Sequence, residues 1–129
     1  MKQNVLLVVT SLVSILLMSL HLAEDVVLGF SAGGLTNLVA IAVLVVYLCG
    51  ALLGNDRRWG RIVILVGSLL ALVMPVIHMM GAGLGVRRST GAYFFVWTLY
   101  ALGITGTFGI ILSVRALRSA RTLASAGNG

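Results

Sequence analysis

The sequence predicts an all-α polytopic membrane protein: four transmembrane helices in an up-down bundle, with both termini cytoplasmic. Three observations lead there. The chain of 129 residues is 60% hydrophobic and only 9% charged, whereas a soluble domain carries about a quarter charged residues. Its apolar residues gather into four runs, each near the length of about 20 residues that crosses a hydrocarbon layer of roughly 30 Å. Its basic residues stand at the ends of those runs, the usual arrangement at a membrane surface.

The first run covers residues 5–23 and follows Lys2. A cleaved leader ending at Ala23 would need a small residue where His21 stands, and the run exceeds a usual signal core, so it reads as a retained span. The second run, 36–53, closes in Gly50-Ala51-Leu52-Leu53-Gly54. The third, 62–80, carries Gly67, Ala71 and the chain's one proline, Pro75. Proline lacks the N–H that would bond the carbonyl of Ala71, so a kink is expected there. The fourth, 92–114, opens on the aromatic stretch Tyr93, Phe94, Phe95, Trp97 and Tyr100, and continues through Gly103, Gly106, Thr107, Gly109 and Ser113. The aromatics read as an interfacial anchor, with Trp59 and Tyr47 toward the other side. Residues 1–114 thus form one four-span domain. The tail, 115–129, is basic and then small and polar, expected to extend the last helix for two turns and then fray. Short connections place each span beside the next.

Charge sets the orientation and narrows the class. The net charge is +6, but the basic residues flank apolar spans and form no single stripe, which argues against nucleic acid. Seven of the nine basic residues, Lys2, Arg57, Arg58, Arg61, Arg115, Arg118 and Arg121, fall on the side of the termini, against Arg87 and Arg88 on the other. The positive-inside rule then puts both termini in the cytoplasm, in a cell membrane of the bacterial cytoplasmic type. The lone Cys49 excludes an intrachain disulfide.

The rare ionisable groups are concentrated. His21, Glu24 and Asp25 close the first run, and His78 closes the third. His21 is sixteen residues beyond Val5 and His78 sixteen beyond Ile62, so at about 1.5 Å per residue both sit roughly 24 Å along their spans. Spans one and three run in the same direction, which gives the histidines a common depth near the outer leaflet. If the first helix persists, Glu24 and Asp25 share a face with His21. Two carboxylates at a helix C-terminus oppose the macrodipole and call for a cation: protonated histidine, Arg87, Arg88 or a metal ion. If the helix breaks near Ala23, they instead open a short interfacial helix, VVLGF. Met18 precedes His21 by one turn, and Met74, Met79 and Met80 surround His78. Imidazole suits zinc, copper and iron, and thioether favours Cu(I). The candidate metal ligands are therefore His21, Glu24, Asp25 and His78, with a transition metal or a haem as conceivable cofactor and none required. No HExxH-type spacing occurs.

The small-residue faces offer close helix contacts, either within the bundle or to a second copy or partner subunit. The glycines of the loop GAGLGVRRSTG follow no strand, so they form no phosphate-binding fingerprint and read as a lid. In size and span count the chain is similar to several families of small four-span bacterial membrane proteins, including the DoxX-like ones; no residue role follows from size and span count. The leading expectation is a non-enzymatic membrane protein with a polar outer-leaflet site for a proton, metal or small ligand. The alternative is an accessory subunit whose polar cluster pins helix ends. An enzyme is the weakest reading, for lack of a nucleophile arrangement.

Overall fold

The computed structural model describes residues 2–27, 35–80 and 90–126, with side chains for 4–27, 37–78 and 93–120. Four α-helices account for nearly all of them: α1 Lys2–Val27, α2 Leu35–Leu53, α3 Arg58–Met80 and α4 Thr90–Ala126. Three contain stretches long and apolar enough to cross a membrane, Asn4–Val27, Arg58–His78 and Tyr93–Ala120; the apolar stretch of α2, Asn37–Leu53, is shorter. Each helix in turn packs against its neighbours in sequence, and α4 closes the ring onto α1. α1 and α3 face each other across the diagonal.

The helices outrun the apolar runs because backbone hydrogen bonding does not stop where charge begins. α1 continues past Ala23 through Glu24 and Asp25 to Val27, so the helix does not break before the carboxylates. Val26 and Val27 end α1, and the rest of the expected VVLGF helix lies outside the described residues. α4 carries on beyond Val114 and remains helical to Ala126, through much of the segment assigned to the tail. α3 stays helical through Pro75. The pyrrolidine ring is accommodated by Gly103 of α4, where an added Cβ would lie 3.3 Å from Pro75 Cγ.

Heptad spacing of buried positions explains the packing. On α1 the buried residues are Leu7, Ser11, Ser14, Met18 and His21, with Asp25 half-buried next in the series. On α3 the series is Ile64, Ser68 and Ala71, then the half-buried Pro75 and His78. Steps of three and four keep one stripe facing its neighbours, as in coiled coils. The stripe is not wholly apolar. Every helix brings a hydroxyl inward: Ser11 and Ser14, Tyr47, Ser68 and Ser113. Ser11 donates to the Leu7 carbonyl at 2.8 Å, and Tyr47 and Ser68 share a bond of 3.1 Å. The lipid-like face is the outside, where Leu16, Val39, Val66, Ile104 and Phe108 are each exposed.

The small residues face partners in the same chain. Gly67 lies under the Tyr47 ring, Gly50 against Val63, and Gly109 against Ser68. A Cβ on Gly106 would stand 2.8 Å from both Leu72 N and Ser68 O, so the backbones of α3 and α4 touch there. The α2–α3 turn is equally tight: Arg57 N donates to Gly54 O at 2.9 Å, and Gly54 meets Gly60 backbone to backbone. At that end Arg61 reaches two carbonyls, Asn55 O and Ala116 O, each at 3.0 Å, and Asn4 Nδ2 donates to Asp56 Oδ1 at 2.9 Å. The histidines lie at the opposite end.

Candidate metal centre

The diagonal helices α1 and α3 run parallel, so residues at equal distance along them meet. His21 and His78 do meet: their ring centroids are 4.7 Å apart and the planes cross at 80°. His21 is 2% exposed. Asp25 follows it by four residues, one turn further along the same face, and its two carboxylate oxygens reach toward one ring each. Asp25 Oδ2 is 3.6 Å from His21 Nε2, and Asp25 Oδ1 is 3.7 Å from His78 Nε2. Phe95 of α4 covers both imidazoles, with its ring centroid 5.0 Å from that of His21 and 5.5 Å from that of His78.

The protonation pattern of His78 follows from its partner. Its Nδ1 lies 3.0 Å from the Met74 carbonyl. A carbonyl oxygen only accepts, so Nδ1 carries the hydrogen and Nε2 is the nitrogen turned toward Asp25. Nε2 and the carboxylate oxygen stand 3.7 Å apart, too far for a hydrogen bond. An N–H donated to a backbone carbonyl is also how metal-ligating histidines are held in place. Both ring nitrogens of His21 and Asp25 Oδ1 are buried with no hydrogen-bond partner.

One ligand atom from each of His21, Asp25 and His78 falls within 4.8 Å of the others. Ligands bound about 2.0–2.1 Å from one ion stand roughly 3.3–3.6 Å apart in tetrahedral or trigonal geometry. The separations of 3.6 and 3.7 Å, made to the two different carboxylate oxygens, come near that spacing, while the widest of the set reaches 4.8 Å, so a side chain must move inward by about an ångström for all three to share one ion. The residues fit a transition-metal ion. They do not fit a haem held between the two histidines, because rings in edge contact leave no slot for a macrocycle.

Of the four residues singled out in the sequence, three converge and Glu24 turns elsewhere. Its Oε2 accepts from Thr98 Oγ1 of α4 at 2.7 Å, while the Phe95 carbonyl at 2.8 Å is a second acceptor for the same hydroxyl. Arg87 and Arg88, and the side chains of Met79 and Met80, lie outside the described residues. Thr98 and Phe95 escaped the sequence reading because they sit inside an aromatic run taken as an anchor. Tyr93, Phe94, Trp97 and Tyr100 do face outward; of these five aromatics Phe95 alone is buried. A helical wheel of that run carried the signal, since Phe95, Thr98, Leu99 and Leu102 form one stripe.

Set against protein-family models, curated proteins and solved structures, the chain matches none of them.

Proposed function

We propose that this chain is a small integral membrane protein that binds a transition-metal ion between His21, Asp25 and His78, near the outer leaflet of a bacterial cytoplasmic membrane. Embedding is supported by the apolar exterior and by the three helices long enough to span. Orientation is supported by the basic residues gathered at the end away from the histidines, Arg57, Arg58, Arg61, Arg115 and Arg118. An ionisable cluster inside such a bundle is expensive, and function is the usual reason for retaining one.

The observation that carries the metal reading is the hydrogen bond from His78 Nδ1–H to the Met74 carbonyl. It turns Nε2 of the ring and a carboxylate toward one another with a cation-sized gap between them. A metal ion satisfies both, and the unpartnered nitrogens of His21 complete the set. The ring-on-ring wall of Phe95 shields the ion on the α4 side.

Co(II), which reports tetrahedral nitrogen and oxygen ligation through its visible absorption, tests this on purified protein in detergent. Saturable binding displaced by Zn(II) is expected in the native chain and is lost in His21→Ala, His78→Ala and Asp25→Asn. A second reading is favoured by the Glu24–Thr98 hydrogen bond, which ties α1 to α4: the cluster pins helix ends in an accessory subunit. Absence of Co(II), Zn(II) and Cu(I) binding in correctly folded protein refutes the metal reading and leaves this one.

A further inference from the structure

We infer that the ion this centre is built to hold is soft and monovalent, copper(I), with the thioethers of Met18 and Met74 supplying the ligands that the two histidines and Asp25 leave open. The inference rests on the metal reading above and names the ion for that site.

The two methionines are placed symmetrically. Met18 precedes His21 by three residues on α1, and Met74 precedes His78 by four on α3. Both steps return a helix to the same face, so each histidine has a thioether one turn below it. Met18 is buried in the core stripe and Met74 packs against the same core. Both line a cavity of about 220 Å³ between α1, α2 and α3 whose wall is almost wholly apolar and which His21 and Asp25, but not His78, border. On the α2 side the cavity is walled by Ala40, Val43 and Leu44. Unbranched side chains with three rotatable bonds can swing into such a space.

Ligand type and charge favour the same ion. Thioether sulfur selects Cu(I) among the biological first-row metals, imidazole tolerates it, and zinc gains nothing from sulfur of this kind. The ligand set consists of two neutral imidazoles, two neutral thioethers and one carboxylate. A monovalent ion makes it neutral, whereas a divalent ion leaves an extra positive charge among Leu22, Leu44 and Leu70, where uncompensated charge is costly. Glu24 stands outside the set, engaged by Thr98.

The test is competition for Cu(I) against the chromophoric chelator bicinchoninate, run anaerobically on the full chain in detergent. Native protein is expected to withdraw Cu(I) from the coloured complex. Met18→Leu/Met74→Leu should bind Cu(I) about tenfold or more weakly, the scale typical when a supporting ligand of a metal site is lost, and should bind Zn(II) and Co(II) unchanged. Leucine conserves the volume of methionine, and an unaltered unfolding temperature confirms that the bundle is intact. X-ray absorption at the copper edge should show sulfur in the native chain and none in the double variant. Zn(II) or Co(II) bound through the histidines, with Cu(I) affinity indifferent to the methionines, overturns the inference and leaves the metal site standing. Failure to bind any of the three ions removes the site itself.

Discussion

Gly106 of α4 gives the sharpest test of the packing. Replacing it with alanine adds one methyl group, whose carbon would lie 2.8 Å from Leu72 N, 2.8 Å from Ser68 O and 3.2 Å from Ala71 C. All three are backbone atoms of α3, so no side chain can rotate aside. The helices must separate by roughly half an ångström, and a gap of that size forfeits about a quarter of each dispersion contact along the seam. Overpacking of this kind costs about 1–3 kcal/mol. Alanine returns about 0.8–1 kcal/mol of helix propensity, which leaves a net loss of up to about 2 kcal/mol. Gly103, one turn earlier, is the control. Its added Cβ would meet only the end of the Pro75 ring, at 3.3 Å, so the propensity gain dominates and Gly103→Ala should be neutral or slightly stabilising. Equilibrium unfolding in mixed micelles, followed by circular dichroism, reads both. Gly106→Ala as stable as the native chain, or Gly103→Ala the worse of the two, would refute the close α3–α4 contact.

Three further outcomes are expected. His21→Ala and His78→Ala should couple by about 0.5–3 kcal/mol in a double-mutant stability cycle, since touching residues do not add; additive losses would separate the two rings. Thr98→Val should destabilise the bundle by about 1–3 kcal/mol by stranding a half-buried carboxylate, and Glu24→Gln in the same chain should recover part of that loss, whereas no recovery would locate the effect elsewhere on α4. Reporter fusions at 55–58 and after Arg121 should register cytoplasm and one at Gly83 the outside; a cytoplasmic signal at Gly83 inverts the proposed orientation and moves the histidine end to the inner leaflet.

The common depth of His21 and His78 was legible before any coordinates, because two parallel helices of equal rise put residues sixteen steps from their starts at one level; whether the rings meet was not. Depth along a span needs only counting. Rotation about a span is harder, and that is where the reading stopped. Glu24 and Asp25 are adjacent in sequence and equally placed relative to His21, yet one turns to α4 and the other to α3. The choice depends on where Thr98 projects, a fact about the fourth helix that the first cannot reveal. The inward serines had a signal, with Ser14 seven residues before His21, but single serines among leucines carry little weight unless burial is known. The extents of α1 and α4 were underestimated because apolar runs mark where lipid-compatible surface ends and not where a helix must stop.

The bond between Thr98 and Glu24 joins residues 74 positions apart, and this separation is also an interval of time. At a synthesis rate of about 5–20 residues per second, Thr98 emerges roughly 4–15 s after Glu24. Throughout that interval α1 carries its half of the centre, His21 and Asp25, on a stripe that also holds Ser11 and Ser14, with none of its α4 partners yet made. His78 arrives partway, and Phe95 and Thr98 arrive last to cover the rings and tie the end shut. On the proposed metal reading, a nascent chain is open at His21 and Asp25 until its final helix docks, so the order of translation would leave a window of seconds for an ion to enter before α4 is in place.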